Sequence, residues 1–222
     1  MFRAILLIAA LAAAGCAPIT VQTGGSPSPQ PSQQPAKRTV TISDVHRAAK
    51  SFEAVAARVE PVAESTCRKL NPRVTCDFAI VVDTNMKAAP NAYQTVKNGR
   101  PVILFTMPLI VDARNSDELA FIMGHEAAHH IRNHIPQTQA TATAGAAVGA
   151  ILAAALGAEG AVIDTAQQLG GYVGARQFSK GYELEADSLG AQIAKRAGYD
   201  PIRGAQYFTR IPDPGNRFLG SH

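Results

Sequence analysis

Apolar residues recur every three or four positions in several stretches of the chain, which is the spacing of a helix with one buried face. The first such stretch, residues 43–70, predicts a helix with Ser43 as its N-cap. Its apolar face is formed by Val45, Ala49, Phe52, Val55, Ala56 and Val59. Pro61 lies inside this stretch and lacks a backbone N–H, so we expect it to kink or split the helix.

Two runs rich in β-branched and aromatic residues follow, at 76–83 and 101–107. Such runs are typical of strands. The sequence Asn-Gly-Arg at 98–100 is a turn signal between them. A small sheet is therefore predicted after the first helix.

The next helical stretch begins at about Ser116, after residues that favour a helix N-terminus, and reaches His134. It should stop at Pro136. The last clear helix spans residues 182–198 and ends in glycine, with a proline soon after. The pattern thus predicts a mainly helical domain with a small sheet.

Residues 138–163 consist mostly of alanine, glycine and threonine. Their apolar run, 144–158, is shorter than a typical membrane span and is followed by Glu159. We expect a loosely specified helical segment packed on the domain. A membrane-embedded hairpin is the alternative, and it predicts that residues 38–222 alone need detergent to stay soluble.

The first 15 residues resemble a signal peptide, because Arg3 precedes an apolar run too short for a permanent membrane helix. Small residues end at Cys16, as in bacterial lipoproteins whose cysteine carries the lipid. Ala13 stands where such signals usually carry leucine. Ordinary cleavage after Ala14 is therefore the alternative.

Residues 16–37 are rich in proline, serine and glutamine and predict a tether, which leaves 38–222 as the folded domain. Ala17 rather than aspartate follows Cys16, which in lipoproteins suggests the outer membrane, facing the periplasm. The chain is 46% hydrophobic and 17% charged, ordinary values for a globular protein. Its net charge of +4, without a basic cluster, argues against nucleic-acid binding.

Export to an oxidising compartment also affects the cysteines. Cys67 and Cys76 lie nine residues apart with no metal-site spacing nearby, so a disulfide between them is predicted. Two buried thiols are the alternative.

Three of the six histidines lie within six positions of the predicted helix that begins near Ser116. His125 and His129 are four apart, so both imidazoles leave the same face and can reach one Zn²⁺ at about 2.0–2.1 Å. Glu126 lies beside them, where a carboxylate can take a proton from the attacking water. His130 is rotated by about 100° from His129 and should face solvent or lie behind the ligands. His134 comes five rather than six positions after His129, which excludes a metzincin.

A third ligand is expected in the last helix, where Glu183 and Asp187 are also four apart. One carboxylate would bind the metal and the other would orient a ligand histidine through its far N–H. Glu185 alternates with them and should face elsewhere.

The stretch Gly-His-Glu-Ala-Ala-His at 124–129, with Tyr-Glu-Leu-Glu-Ala-Asp at 182–187, resembles the M48 family of zinc metallopeptidases. The resemblance covers about residues 40–222 and is closest to the exported lipoprotein members. It implies one zinc ion per chain. The implied roles are His125, His129 and Glu183 as zinc ligands, Glu126 as general base, and Asp187 as the partner of a ligand.

The resemblance also implies that residues 90–106 contain an edge strand that binds substrate by β-addition, although the family's Pro-Gly-Gly stretch is missing here. Family members often continue to an arginine that helps hold the oxyanion, whereas this chain ends at His222. His222 could gate the zinc or be a frayed terminal residue. The residues of suitable type for the oxyanion are Tyr182, Tyr207, Arg203 and Arg210.

The expected fold is a single α+β, gluzincin-type domain, mainly helical, with a small sheet beside the active-site helix. The expected function is a zinc endopeptidase that cleaves unfolded or misassembled cell-envelope proteins and is held to the membrane by its N-terminal lipid. The alternative is a zinc-stabilised, proteolytically latent lipoprotein that acts as a binding or assembly factor.

Overall fold

The computed structural model describes residues 40–176 and 179–210. The signal peptide, the lipidation site Cys16, the tether and His222 lie outside these ranges. The elements in chain order are α1 (Ile42–Leu70), β1 (Ala79–Asp83), β2 (Ala92–Lys97), β3 (Arg100–Thr106), α2 (Met107–Asp112), α3 (Ser116–Ile131), α4 (His134–Ala155), α5 (Ala161–Arg176), α6 (Ser179–Arg196) and α7 (Pro201–Ala205). The predicted α+β class, mainly helical with a small sheet, is confirmed.

Helix α1 corrects two predictions. Its N-cap is Thr41, not Ser43, because Thr41 and Asp44 form a reciprocal capping box, with Asp44 N–H donating to the Thr41 hydroxyl at 3.2 Å. Pro61 does not split the helix, which continues to Leu70. Pro61 and the residue four positions earlier, Ala57, are both exposed, so water can satisfy the carbonyl that loses its helical partner.

The predicted apolar face of α1 packs against the sheet and α3. Phe52, Val55 and Val59 are buried, and the Phe52 ring meets the edge of Phe105 from β3 at a centroid distance of 4.8 Å. The remaining predicted positions of this face, Val45, Ala49 and Ala56, are partly buried against the same core. This packing fixes the sheet beside α3, the helix that carries the histidines.

The sheet has the order β1-β3-β2. Strand β1 is parallel to β3, and β2 is antiparallel to β3. Asn98 and Gly99 connect β2 and β3 with φ values of 53° and 78°, as a tight type I′ hairpin turn requires. Strand β2 therefore lies at an edge of the sheet, and it packs beside α3.

The predicted helix 116–134 is in fact two helices. Helix α3 ends at Ile131, and the chain reverses at Asn133, whose φ of 62° is left-handed. Asparagine tolerates this conformation better than most residues. Pro136 lies in the first turn of α4 instead of ending a helix, because the N–H groups of a first turn have no helical partner to lose.

Helices α4 and α5 pack against each other, and little of α4 is covered by the rest of the domain. Only His134 and Ala153 of α4 are buried, which corrects the expectation that this segment packs on the domain. Among the described residues, α4 is the one helix long and apolar enough to cross a membrane by length and composition. A membrane location for this hairpin stays a prediction.

Candidate active site

Helix α3 places both histidines of the motif in the core. Its N-terminus is capped by Asn115, whose side chain accepts from Glu118 N–H at 3.1 Å. His125 and His129 lie one turn apart and are 5% and 7% exposed. Buried imidazoles of this kind need polar partners.

Helix α6 supplies those partners because two glycines let it approach α3 closely. A Cβ added to Gly124 would lie 2.7 Å from the carbonyl oxygen of Gly190, so the helix backbones touch just before His125. Glu183 and Asp187 lie on α6, two turns and one turn before that contact. The crossing therefore brings both carboxylates to the histidines.

The structure brings His125, His129 and Glu183 together, with one ligand atom from each within 4.8 Å of the others. The two Nε2 atoms are 3.0 Å apart, and the Glu183 carboxylate oxygens lie 3.4 Å from His125 Nε2 and 3.5 Å from His129 Nε2. A tetrahedral site with bonds of about 2.0–2.1 Å separates its ligand atoms by roughly 3.3 Å. The three atoms thus have the spacing of metal ligands.

One carboxylate oxygen of this cluster has an unusual environment. Glu183 Oε1 is buried and has no hydrogen-bond partner among the described residues. A buried carboxylate oxygen in that condition is costly. A cation bound between Glu183 and the two imidazoles would satisfy it, so the residues present fit a metal ion.

Asp187 holds the other side of the first histidine. Its carboxylate lies 2.9 Å from His125 Nδ1. Burial lowers the pKa of His125, but hydrogen bonds to Asp187 and Glu183 outweigh it and raise the pKa to about 10 in the metal-free protein. The contact orients the ring so that Nε2 faces the cluster.

His129 is held by a residue that the sequence did not assign to the site. His134 Nδ1 lies 3.0 Å from His129 Nδ1, and His134 Nε2 lies 3.3 Å from Glu185 Oε2. Glu185 therefore does not face elsewhere, as its alternation with Glu183 had suggested. The reversal at Asn133 turns His134 back towards α3, which a continuous helix would not do.

Glu126 lies beside the cluster, next to β2. The backbone N–H of Gln94 lies near its carboxyl group. Burial raises the pKa of Glu126 to about 7, with the charge of His125 opposing the shift and the charge of Glu183 adding to it. A carboxyl group with a pKa near neutrality can accept and return a proton.

The four candidates for holding an oxyanion lie in different surroundings. Arg203 pairs with Asp117 at 3.3 Å, and Arg210 binds both carboxylate oxygens of the buried Glu118. These acids lie at the start of α3, about two turns or 12 Å along the helix from Glu126. Both arginines are thus engaged away from the cluster.

The two tyrosines are placed differently from the arginines. Tyr182 stacks on the His134 ring at 4.5 Å and donates to Gln137 at 3.2 Å, while Tyr207 is 2% exposed beneath the Arg210 guanidinium.

Two further predictions concern residues outside the metal cluster. His130 lies 2.8 Å from the Thr75 carbonyl oxygen through Nε2 and packs on Phe78, so it is partly buried. Cys67 and Cys76 form a disulfide.

Several residues that shape the site were missed by sequence reasoning. They are Gln94, Gly124, His134, Glu185, Gly190 and Phe208, which packs on the His125 ring at 5.3 Å. Glycine immediately before the histidine motif was the one available signal for the close helix contact. The others depend on contacts between distant parts of the chain.

Comparison with known proteins agrees with this geometry. The model of peptidase family M48 matches residues 49–222. A provisionally named beta-barrel assembly-enhancing protease of Vibrio cholerae is 31% identical over 112 residues, which is 47% of this chain and 23% of that protein. The beta-barrel assembly-enhancing protease of Yersinia pestis is 28% identical over 106 residues, 45% of this chain and 22% of that protein.

The chain thus spans less than a quarter of the length of these relatives. The family match, in contrast, covers most of the chain and includes both α3 and α6, the helices that carry the cluster. The chain therefore belongs to peptidase family M48 and is a metallopeptidase.

Proposed function

We propose that the protein is a zinc-dependent endopeptidase in which His125, His129 and Glu183 hold one zinc ion. The main support for the proposal is the convergence of two imidazole nitrogens and a carboxylate, one of whose buried oxygens has no hydrogen-bond partner in the described part of the chain. Two nitrogens and one oxygen from protein, with a fourth position open, make the donor set of a catalytic zinc site.

When bound, zinc polarises the scissile carbonyl and lowers the pKa of the attacking water. Glu126 then takes a proton from that water and returns it to the leaving amine. Asp187 keeps the His125 ring oriented.

The edge of β2 is the proposed path of the substrate. The Asn91 carbonyl accepts from Thr106 N–H, which sets the parity of the β2–β3 ladder and leaves the N–H of Gln94 on the free edge. The Glu126 carboxyl lies near this N–H, so it lies beside the free edge of β2. An extended peptide pairing with β2 would pass directly by Glu126.

The proposed substrates are unfolded or misassembled proteins of the bacterial cell envelope. The names of the two relatives support this class, and the Cys67–Cys76 disulfide suits an exported protein. An N-terminal lipid on Cys16, holding the protein at the outer membrane, is part of the same proposal.

Cleavage of casein by the purified full-length protein tests the proposal. We expect hydrolysis that a chelator abolishes and zinc restores, with about one zinc per chain. Glu126→Gln should keep the zinc and lose about 10²–10⁴-fold in kcat/KM, because it removes the proton acceptor. Glu53→Gln, the same change at an exposed position of α1, is the matched control.

The outcomes separate the candidate functions. Chelator-insensitive cleavage, or full activity in Glu126→Gln, would refute the mechanism. One zinc per chain without cleavage would favour the latent binding lipoprotein instead.

A further inference from the structure

We infer that His134 is a positioning residue that fixes the tautomer of the zinc ligand His129, and that Glu185 in turn fixes His134. The inference rests on the zinc site proposed above and adds a hydrogen-bond partner for its second histidine ligand. His125 has its ring partner in Asp187, and His129 has its own in His134.

The two nitrogens of His129 face different partners. Nε2 lies 3.0 Å from His125 Nε2 and 3.5 Å from Glu183 Oε1, so it faces the metal cluster. Nδ1, on the other edge of the ring, lies 3.0 Å from Nδ1 of His134. That distance allows one hydrogen bond, which requires one proton between the two nitrogens.

Binding of a metal ion by His129 determines which of the two Nδ1 atoms carries that proton. A ligand Nε2 must offer a lone pair, so the proton of neutral His129 is on Nδ1 and is donated to His134. His134 then accepts with its Nδ1 and carries its own proton on Nε2. That N–H points at Glu185 Oε2, 3.3 Å away. In this series of hydrogen bonds, His129 donates to His134 and His134 donates to Glu185.

The His134 ring is held rigidly enough for this task. It is 3% exposed, although it is the first residue of a helix that is otherwise mostly uncovered. Tyr182 stacks on it at 4.5 Å with an interplanar angle of 17°. Tyr182 and Glu185 both come from α6, the helix that also supplies Glu183. Helix α6 therefore holds the metal cluster and the support of His129 at once.

Asparagine and glutamine distinguish this role from simple packing. The side-chain amide of asparagine lies near the position of a histidine Nδ1, whereas that of glutamine lies near the position of Nε2. His134→Asn can thus still accept from His129, while His134→Gln and His134→Ala cannot. Lost support of a ligand histidine typically weakens metal binding by about 10–100-fold.

Zinc affinity of the full-length protein, measured by competition with a chromogenic chelator, is the test. We expect His134→Ala and His134→Gln to bind zinc about 10–100-fold more weakly and His134→Asn to stay within about threefold of wild type. Glu185→Ala should lose less, because Glu185 is 58% exposed and water can replace it. The exposed His46→Ala serves as control.

A second measurement uses the wild-type protein, so it tests the inference even if the variants fold poorly. In the zinc-loaded protein labelled with ¹⁵N histidine, the Nδ1 of His129 should carry a proton and the Nδ1 of His134 should carry none. Equal zinc affinity in His134→Asn and His134→Gln, or a proton on His134 Nδ1, would overturn the inference. Wild-type protein that binds no zinc would overturn the proposed function as well, whereas normal binding in His134→Ala would overturn this inference alone.

Discussion

Two helix crossings in this molecule use the same close contact between backbones. At the α3–α6 crossing, a Cβ on Gly124 would lie 2.7 Å from the carbonyl oxygen of Gly190. At the α4–α5 crossing, a Cβ on Gly145 or on Gly170 would lie 2.2 Å from the other residue's carbonyl oxygen. Glycine is required at both places because any side chain would separate the helices.

The surroundings of the two crossings differ completely. Five apolar residues at the α3–α6 crossing are at most 2% exposed, namely Met123, Ala127, Ala186, Leu189 and Ile193. The large apolar residues in the second half of α4, Val148, Ile151 and Leu152, are 56–67% exposed, and Leu156, just after the helix, is 87% exposed. A glycine contact by itself therefore only brings two helices together. Whether a site results depends on the polar residues that the helices carry and on the core that covers them.

The largest effect is expected at the α3–α6 crossing. In Gly190→Ala the new Cβ would lie 2.7 Å from the backbone nitrogen and 2.8 Å from the Cα of His125, so α6 must move away from α3. Displacing catalytic groups by about 1 Å can cost about 100-fold in rate, and we expect that loss in kcat/KM. The control is Gly181→Ala on the same helix, whose Cβ would meet nothing within 4 Å. Equal activity in the two variants would contradict the account.

The matching change in the hairpin should affect stability alone. Gly170→Ala places a Cβ 2.2 Å from the Gly145 carbonyl oxygen, and overpacking of this kind lowers the free energy of unfolding by about 1–3 kcal/mol. Activity per folded molecule should stay within about twofold of wild type, as measured by urea unfolding and by peptide hydrolysis on one sample. A loss of kcat/KM like that of Gly190→Ala would show that the hairpin takes part in catalysis.

The zinc affinity of the site at the α3–α6 crossing should depend on pH. Burial lowers the pKa of His125, but hydrogen bonds to Asp187 and Glu183 raise it to about 10, so the metal-free protein holds a proton that zinc must displace. Below that pKa the proton competes better as pH falls. Affinity should therefore rise about tenfold per pH unit from pH 6 to 8, in a chelator competition corrected for the chelator's own protonation. A flat profile would contradict this protonation state.

The smallest effect is expected on the exposed face of the hairpin. Leu152→Ala should change the free energy of unfolding by less than about 0.5 kcal/mol, because Leu152 is 59% exposed. The matched change Leu189→Ala, at a residue 2% exposed, should cost about 2–5 kcal/mol. Similar losses in the two variants, measured by urea unfolding, would mean that the face around Leu152 is covered in solution.

The sequence predicted those parts of the site that depend on spacing within one helix. His125 and His129, like Glu183 and Asp187, leave one face of a helix because they are four residues apart. The same periodicity predicted the buried face of α1. These features are local, so no tertiary contact could change them.

The failed predictions concern places where tertiary contacts or solvent decide the outcome. Pro61 stays helical because its side of α1 faces water, and Pro136 fits the first turn of α4. The role of His134 follows from the left-handed residue Asn133, which no pattern of apolar residues shows. Glu185 reaches His134 only because α6 crosses α3 at a glycine contact.

Zinc content of the purified protein tests the central claim most directly, namely that α3 and α6 together hold one catalytic metal ion. We would measure zinc per chain by mass spectrometry in wild type, in Glu183→Ala and in the exposed control Glu159→Ala. The account predicts about one zinc per chain in wild type and control and very little in Glu183→Ala, since a zinc site needs its third protein ligand. Equal zinc in all three proteins, or none in wild type, would contradict it.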